Sequence, residues 1–280
     1  MNKLLAIFEL MRLNKPIGIY LLLWPALLAL VISTNGDFMY SHLLIIIIGS
    51  ILVRSAGCVI NDIWDKDLDG GVKRTKTRPI PSKKLSISES WAVFVALGAL
   101  SLVLLSLTNT NTIFISICFG FMIVLYPLTK RFFIGPQIFL GLTFNPTIIV
   151  YAMTNELNNP TMIFLYLAVA AKTIAFDSFY GLCDIEDDKK LGINSTPLWW
   201  GSKTLLIIAI LQFAVISFLM VVGFKAELSS TWYIGIILLS SFYFYQHRLA
   251  SQKNFLLAFK NNHWASLYLL FLSVFCFLII

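Results

Sequence analysis

Nine times along the 280-residue chain a stretch of roughly twenty mostly apolar residues recurs, at about 16–34, 42–60, 91–108, 112–129, 135–153, 161–181, 203–223, 231–247 and 264–280. Each is about the length that an α-helix needs to cross the hydrocarbon core of a bilayer. The connections between them carry the turn residues and nearly all of the charge. Apolar residues make up 58% of the chain and charged residues only 12%, against about 25% charged in a soluble domain. A soluble enzyme, a disordered tail and a nucleic-acid-binding domain are excluded, because their surfaces need charge that this chain lacks. The sequence therefore predicts an all-α polytopic membrane protein: a single domain over 1–280, with nine transmembrane helices bundled together.

Residues 1–15, with KLLAIFELMRL among them, read as an interfacial N-terminal helix. They do not read as a cleavable signal, since the first apolar run is too long and lacks a small-x-small site at its end. Trp64, Trp91, Trp199, Trp200, Trp232 and Trp264 fall near predicted span ends, as an aromatic belt would place them. Cys58, Cys118, Cys183 and Cys276 are scattered without CxxC pairing, and His42, His247 and His263 fit no metal or triad spacing.

With nine spans, the N-terminus and the loops after spans 2, 4, 6 and 8 share one side of the membrane. All 21 Lys and Arg residues fall on that side except Arg54 and Lys172, which lie within spans, and Lys225. The positive-inside rule makes that side cytoplasmic. The net charge of +7 is then a topology signal and an attraction to anionic lipid.

Only 14 acidic residues exist, and most of them gather in two loops expected at the cytoplasmic face, 61–90 and 182–202, or at the span ends leading into them. Asp62, Asp65, Asp67 and Asp69 follow span 2, and Asp177, Asp184, Glu186, Asp187 and Asp188 end span 6. Span 2 with its loop is echoed four helices later by span 6 with its loop, which suggests a four-helix repeat with a ninth helix added. If the span-2 helix continues, Asn61, Asp65 and Asp69 are i, i+4 and i+8, and Asp62 joins them at i+3 and i+7, on one face. Asp184 and Asp188 are likewise i, i+4. Clustered carboxylates repel by about 1 kcal/mol per close pair even in water, so a shared cation explains them better than a solvated acidic loop. All-oxygen ligands without His or Cys favour Mg²⁺ or Mn²⁺. Mg²⁺ fills the rest of its shell with water and phosphate oxygens. Two facing clusters therefore imply two or more Mg²⁺ ions holding a di- or triphosphate.

Cations flank the clusters in 73-KRTKTRPIPSKK-84 and 126-YPLTKR-131. Arg74, Arg78, Lys130 and Arg131 read as groups that neutralise a leaving diphosphate, and Tyr126 lies one turn from Lys130. Lys83, Lys84, Lys189 and Lys190 read as snorkelling anchors. Arg54 is the more telling charge. It lies within span 2, two turns before Asn61, where a charge costs at least roughly 2.5–3.5 kcal/mol and marks function by default. Its planar fork suits a small carboxylate. Lys172 lies deeper and has no matched partner in the sequence, so structural pairing and function stand level for it.

The stretches 15-KPIGIYLLLWP-25, 57-GCVINDIWDKDLDGGVKRTKTRPIPS-82, 126-YPLTKR-131 and 180-YGLCDIEDDKKLGINST-196 resemble the UbiA superfamily of intramembrane aromatic prenyltransferases. The resemblance runs in order from about residue 3 to the last span. Within the superfamily, the KPIG…LLLWP and DGGVKRTKTRPIPS stretches are similar to the branch that prenylates 4-hydroxybenzoate in ubiquinone biosynthesis. The resemblance implies a nine-helix bundle around a central cavity, capped by cytosolic Asp-rich loops and opening laterally to the bilayer. It implies a bacterial inner membrane, or the mitochondrial one. It implies Asp62, Asp65, Asp69, Asp184 and Asp188 as Mg²⁺ ligands, and Tyr126 and Lys130 as diphosphate contacts. Arg54 and Asn61 become the pocket of the aromatic acid, and Asp65, Asp184 and Lys130 the expected catalytic groups. The substrates implied are a polyprenyl diphosphate and 4-hydroxybenzoate, with no nucleic acid.

The second motif departs from the branch's usual pattern at Gly181, Cys183 and Ile185, which replace Ala, Val and Arg. The loss of Arg at 185 puts a diphosphate contact there in doubt, with Lys189 or Lys190 as substitutes. Asn194 stands where Lys is common, and Asp67 is an extra acid. A relative with haem or a naphthoate as acceptor is the alternative reading within the superfamily. A divalent-cation transporter is the alternative outside it, disfavoured because both acid clusters lie at one face.

Overall fold

A computed structural model describes residues 3–71 and 74–278, and Lys73 of the basic run lies outside them. Among the described residues the chain is all α-helical, with two short 3₁₀ turns and no strand. In chain order the helices are α1 (Lys3–Leu10), α2 (Ile17–Ser33), α3 (Tyr40–Trp64), α4 (Ile87–Leu105) and α5 (Thr110–Thr129). Then come α6 (Pro136–Thr143), α7 (Thr147–Met153), α8 (Thr161–Gly181), α9 (Ile185–Leu191) and α10 (Thr196–Trp200), followed by α11 (Thr204–Lys225), α12 (Ser230–Ser251) and α13 (Phe255–Leu278).

By length and composition, 6 described helices are able to cross a membrane: Tyr40–Trp64, Ile87–Leu105, Thr110–Thr129, Thr161–Gly181, Thr196–Lys225 and Phe255–Leu278. The other three expected spans differ for local reasons. Ile17–Ser33 is apolar but 17 residues long. Ser230–Ser251 has the length, 22 residues, but carries Gln246, His247 and Arg248 near its end. The expected span 135–153 is two short helices with a break at Phe144–Pro146. Pro146 lacks an N–H and disfavours a helical conformation in the residue before it. The Asn145 side chain repairs the break, donating to the Tyr166 carbonyl at 2.8 Å and accepting from the Thr147 N–H at 3.2 Å.

Helix α8 is the axis of the bundle, packing on α2, α6, α7, α11 and α13. Small side chains on it, among them Ala168, Ala170, Ala171 and Ala175, are buried and let neighbours approach closely. Gly141 on α6 answers them, since a Cβ there would lie 2.5 Å from Ile174 and 2.9 Å from the Ala170 carbonyl. On the outside, α4 exposes Val95, Leu100, Leu102 and Val103, and α5 exposes Phe114, Phe121 and Leu125. Apolar faces of this size need to be covered, and on helices long and apolar enough to cross a bilayer they indicate a membrane protein. Buried polar contacts cross between helices: Gln212 to Gln246 at 2.8 Å, Gln246 to Asn261 at 3.1 Å. Lys172, 5% exposed, donates to Ser266 of α13, so the partner absent from its own stretch of sequence comes from another helix.

Helix α1 lays Ala6 and Leu10 on Val59 and Ile63 of α3 and exposes Leu4, Leu5 and Phe8. Trp232 is the largest fully buried side chain, and its ring N–H donates to the Leu219 carbonyl at 2.9 Å. Trp232→Ala is expected to cost about 3–5 kcal/mol, mostly through lost packing, and Trp232→Phe about 0.5–1.5 kcal/mol, the net worth of one hydrogen bond, since the Leu219 carbonyl keeps its place inside α11. Unfolding titrations in mixed micelles measure both. A cost under about 1 kcal/mol for the alanine variant would contradict this account of the core.

Candidate functional site

The helix α3 ends at Trp64, so the predicted single acidic face holds only as far as Asp65. There Asn61 Nδ2 donates to Asp65 Oδ2 at 3.1 Å. Asp69 lies past the helix, in a 3₁₀ turn, and a cation rather than helical register brings it back. Arg78 Nη1 donates to Asp69 Oδ2 at 2.8 Å and to Asp62 Oδ1 at 3.0 Å. From the other side Arg12 Nη2 reaches both oxygens of Asp62, at 2.8 and 2.7 Å. Asp62 is 1% exposed, and two guanidiniums make that burial tolerable.

Asp65 is held differently. Lys130, from the end of α5, and Asn61 both bond its Oδ2, while its Oδ1 is buried without a partner among the described residues. Burial pushes this carboxyl above the ordinary Asp range, against the pull of the Lys130 charge. Arg131 bonds the Trp64 carbonyl at 2.5 Å, so it caps the C-terminus of α3 rather than facing the acids.

The second cluster meets the first as the sequence predicts. Arg74 of the first loop forks onto Asp184 of the second, Nε to Oδ1 at 3.0 Å and Nη2 to Oδ2 at 2.5 Å. It also lies 4.7 Å from the Tyr180 ring centre. Burial works against the Arg74 charge, but the bonds to Asp184 outweigh it and hold its pKa above the usual arginine value. Asp188 is pushed up to about 6, by burial first and the Asp184 charge second. Lys189 and Lys190 are exposed, so the cation at Asp184 comes from Arg74, not from the neighbours of Ile185. The Asn194 N–H bonds the Lys130 carbonyl at 2.9 Å and fastens the second loop to α5.

Beneath this layer lies Arg54. Gly18 of α2 makes room for it: a Cβ there would sit 2.3 Å from Arg54 Nε. The guanidinium carbon lies 5.2 Å from the centre of the Phe144 ring, which the break between α6 and α7 presents. Tyr126 of α5 and Asp177 of α8 share the same electrostatic surroundings. Among the described residues Arg54 forms no ion pair with a carboxylate.

Among the described residues no three Asp, Glu, His or Cys side chains converge as a ready ligand set. The donors nonetheless suit a hard cation: they are all carboxylates, and Asp65 Oδ1 offers a buried oxygen with nothing bound to it. Three participants escaped sequence reasoning. Arg12 is 50 positions from Asp62 and looks like a topology charge; Gly18 and Phe144 carry no chemistry, and only the fold places them against Arg54.

Asp62→Asn leaves two guanidiniums on a neutral amide and is expected to cost about 3–5 kcal/mol, the range for breaking a buried pair. Asp184→Asn, in a more open pair, is expected to cost about 0.2–1 kcal/mol. Chemical unfolding of both variants in detergent checks the ranking. Equal costs would mean that Asp62 is not the structural member of the set.

The chain matches the UbiA prenyltransferase family over residues 22–275. It is 40% identical over 265 residues to a 4-hydroxybenzoate octaprenyltransferase of Pseudomonas aeruginosa, covering 92% of this chain and 89% of that protein. It is 39% identical over 272 residues to the protein of the same name from Vibrio campbellii, covering 95% of each. Among solved structures it resembles the apo form of a UbiA homologue from Aeropyrum pernix with a TM-score of 0.79 at 21% identity, covering 90% of this chain and 94% of that one. It also resembles an Archaeoglobus fulgidus homologue bound to GPP and Mg²⁺, with a TM-score of 0.75 at 17% identity, covering 98% and 100%.

Proposed function

The chain belongs to the UbiA prenyltransferase family, and from that premise we propose that it prenylates 4-hydroxybenzoate at the ring carbon ortho to the hydroxyl, in ubiquinone biosynthesis. The observation that carries the acceptor is Arg54, a guanidinium two helical turns beneath the acidic and basic layer that forms no ion pair among the described residues. It has room made for it by Gly18 and an aromatic ring beside it at Phe144. A carboxylate on a flat ring satisfies both neighbours. The donor belongs to the layer above, where Arg74, Arg78 and Lys130 gather around Asp62, Asp65, Asp69 and Asp184. The relatives named 4-hydroxybenzoate octaprenyltransferase support the same pair of substrates.

Asp65, Asp184 and Asp188, with Asp62 and Asp69 behind them, would hold Mg²⁺, which supplies charge neutralisation to a bound diphosphate. Arg74, Arg78 and Lys130 add hydrogen bonds to the same oxygens as negative charge grows on them. The allylic C–O bond breaks and the diphosphate leaves with the electron pair. The ring carbon of the acceptor, oriented by Arg54 and Asn61, then attacks the allylic carbon, and loss of the ring proton restores aromaticity. Tyr126, Phe144 and Tyr180 exclude water that would capture the cation. The bundle crosses the inner membrane nine times in this reading, with α2 shorter than its neighbours, α6 and α7 together as one broken crossing, and the Asp-rich loops cytoplasmic.

Membranes containing the protein are expected to incorporate labelled prenyl groups into 4-hydroxybenzoate. Chelation should abolish this, Mg²⁺ or Mn²⁺ restore it, and Ca²⁺ restore it poorly, because its longer, looser coordination fits a compact site less well. Labelling of a naphthoate or haem instead would reassign the acceptor, and equal rescue by Ca²⁺ would reduce the cation to charge screening.

Arg54→Lys keeps the charge and loses the planar fork. It is expected to raise the KM for 4-hydroxybenzoate about ten- to a hundred-fold and to leave that for the prenyl diphosphate little changed. Gly18→Ala should move in the same direction, since its new methyl must displace Arg54 while the flexible side chain spares stability. Steady-state kinetics with each substrate varied in turn decides this. A rise confined to the prenyl diphosphate would transfer Arg54 to the donor site.

A further inference from the structure

We infer that Arg12 is a positioning residue for the donor site: it carries the charge of Asp62 so that Arg78 is free to bind diphosphate. The inference rests on the reading of Arg78 as a diphosphate contact. Its basis is the unequal way in which two guanidiniums share one buried carboxylate. Arg12 commits Nη2 to both oxygens of Asp62 and Nη1 to the Glu9 carbonyl at 3.1 Å. Arg78 commits Nη1 alone, split between Asp62 and Asp69. Among the described residues its Nε and Nη2 have no hydrogen-bond partner, and its side chain is 16% exposed. Arg78 therefore keeps two donor nitrogens in hand, and Arg74 and Tyr180 lie near enough to feel its charge.

The surroundings of Arg12 are built to hold it there. Its backbone is left-handed, with φ of 59°, and closes the C-terminus of α1, with the Leu13 N–H bonded to the Phe8 carbonyl at 3.2 Å. Helix α1 is seated on α3 through Ala6 and Leu10, and Glu9 pairs with Lys84 at 2.9 Å. The turn after α1 is thus clamped on both sides, and its guanidinium enters the acidic layer from beneath the membrane-surface helix. Removal of Arg12 would leave Asp62, 1% exposed, with half of one Arg78 nitrogen. A buried carboxylate so poorly matched draws the remaining cation onto itself. Arg78 would then turn its spare donors inward and away from the substrate.

The test is a double-mutant cycle on the full-length enzyme in lipid nanodiscs, with KM and kcat measured for both substrates and thermal midpoints recorded alongside. Arg78→Ala is expected to raise the KM for prenyl diphosphate about ten-fold or more. Arg12→Ala is expected to raise it about three- to ten-fold, with the KM for 4-hydroxybenzoate within about two-fold. Because Arg12 acts through Arg78, the double variant should be no worse than Arg78→Ala alone. Arg12→Lys, which restores charge through a single point of contact and guards against a misfolded alanine variant, should fall between the parent and Arg12→Ala. Multiplicative effects in the double variant, or a loss of thermal stability with neither KM changed, would overturn the inference. If Arg78→Ala leaves the prenyl diphosphate KM unchanged, the reading of Arg78 itself fails, and the inference falls with it.

Discussion

Carboxylates that sit at the edge of a low-dielectric bundle must be matched by cations, and the end of this molecule that carries the Asp-rich loops is organised around that requirement. Asp62 is the point from which the pairing spreads. It receives Arg12 and Arg78, Arg78 passes on to Asp69, and Arg74 of the same loop reaches across to Asp184. One set of ion pairs thus joins the N-terminal turn, the end of α3, the loop after it and the turn between α8 and α9. Helix–helix packing alone does not do this, because Asp65 and Asp69 lie past the end of α3 and Asp184 lies between α8 and α9. Ion pairs at this depth contribute little net stability but lose much when half of one is removed, so they set geometry more than they add strength.

The cations in such a layer have two states open to them. With carboxylates as their only partners they hold the loops in register. A substrate bearing several negative charges offers better-placed oxygens and competes for the same guanidiniums. Arg74, forked onto Asp184 and lying against the Tyr180 ring, is placed for that exchange. Ile185 removes the arginine usual at its position, and the cation that faces Asp184 comes instead from the other loop. The two loops are therefore tied to one another at the place where the departing group would sit.

Much of this was legible in the sequence, and the limits of legibility have physical causes. Apolar runs found the membrane helices because length and hydropathy are local properties. The acidic clusters and their flanking cations were visible because charge is scarce in this chain. The helical face drawn through Asn61, Asp65 and Asp69 failed at its last member, since the spacing argument holds only while the helix lasts and α3 stops at Trp64. The expected span over 135–153 concealed a break, although Asn145-Pro146 announces one. Arg131 read as a substrate contact by its charge and proved to cap a helix end. Arg12 read as a topology charge, because nothing in a sequence reports a contact 50 residues away.

The proposed acceptor site shows how far non-reacting residues define a place for chemistry. Arg54 alone marks a place in the membrane where a charge is tolerated. What shapes it are a residue with no side chain and a break in a helix: Gly18 lets the guanidinium lie against α2, and the interruption before Pro146 presents Phe144 beside it. An irregular backbone is tolerated at membrane depth only where it is enclosed by protein or lines a cavity, and here the Asn145 side chain takes up the Thr147 N–H of the break and ties it to the Tyr166 carbonyl of α8. A continuous helix over 135–153 would carry Phe144 on a regular face, with no reason for its ring to meet Arg54. The same interruption that removes one uniform span from the bundle therefore sets an aromatic ring beside Arg54, beneath the ion-paired loops to which we assign the prenyl diphosphate.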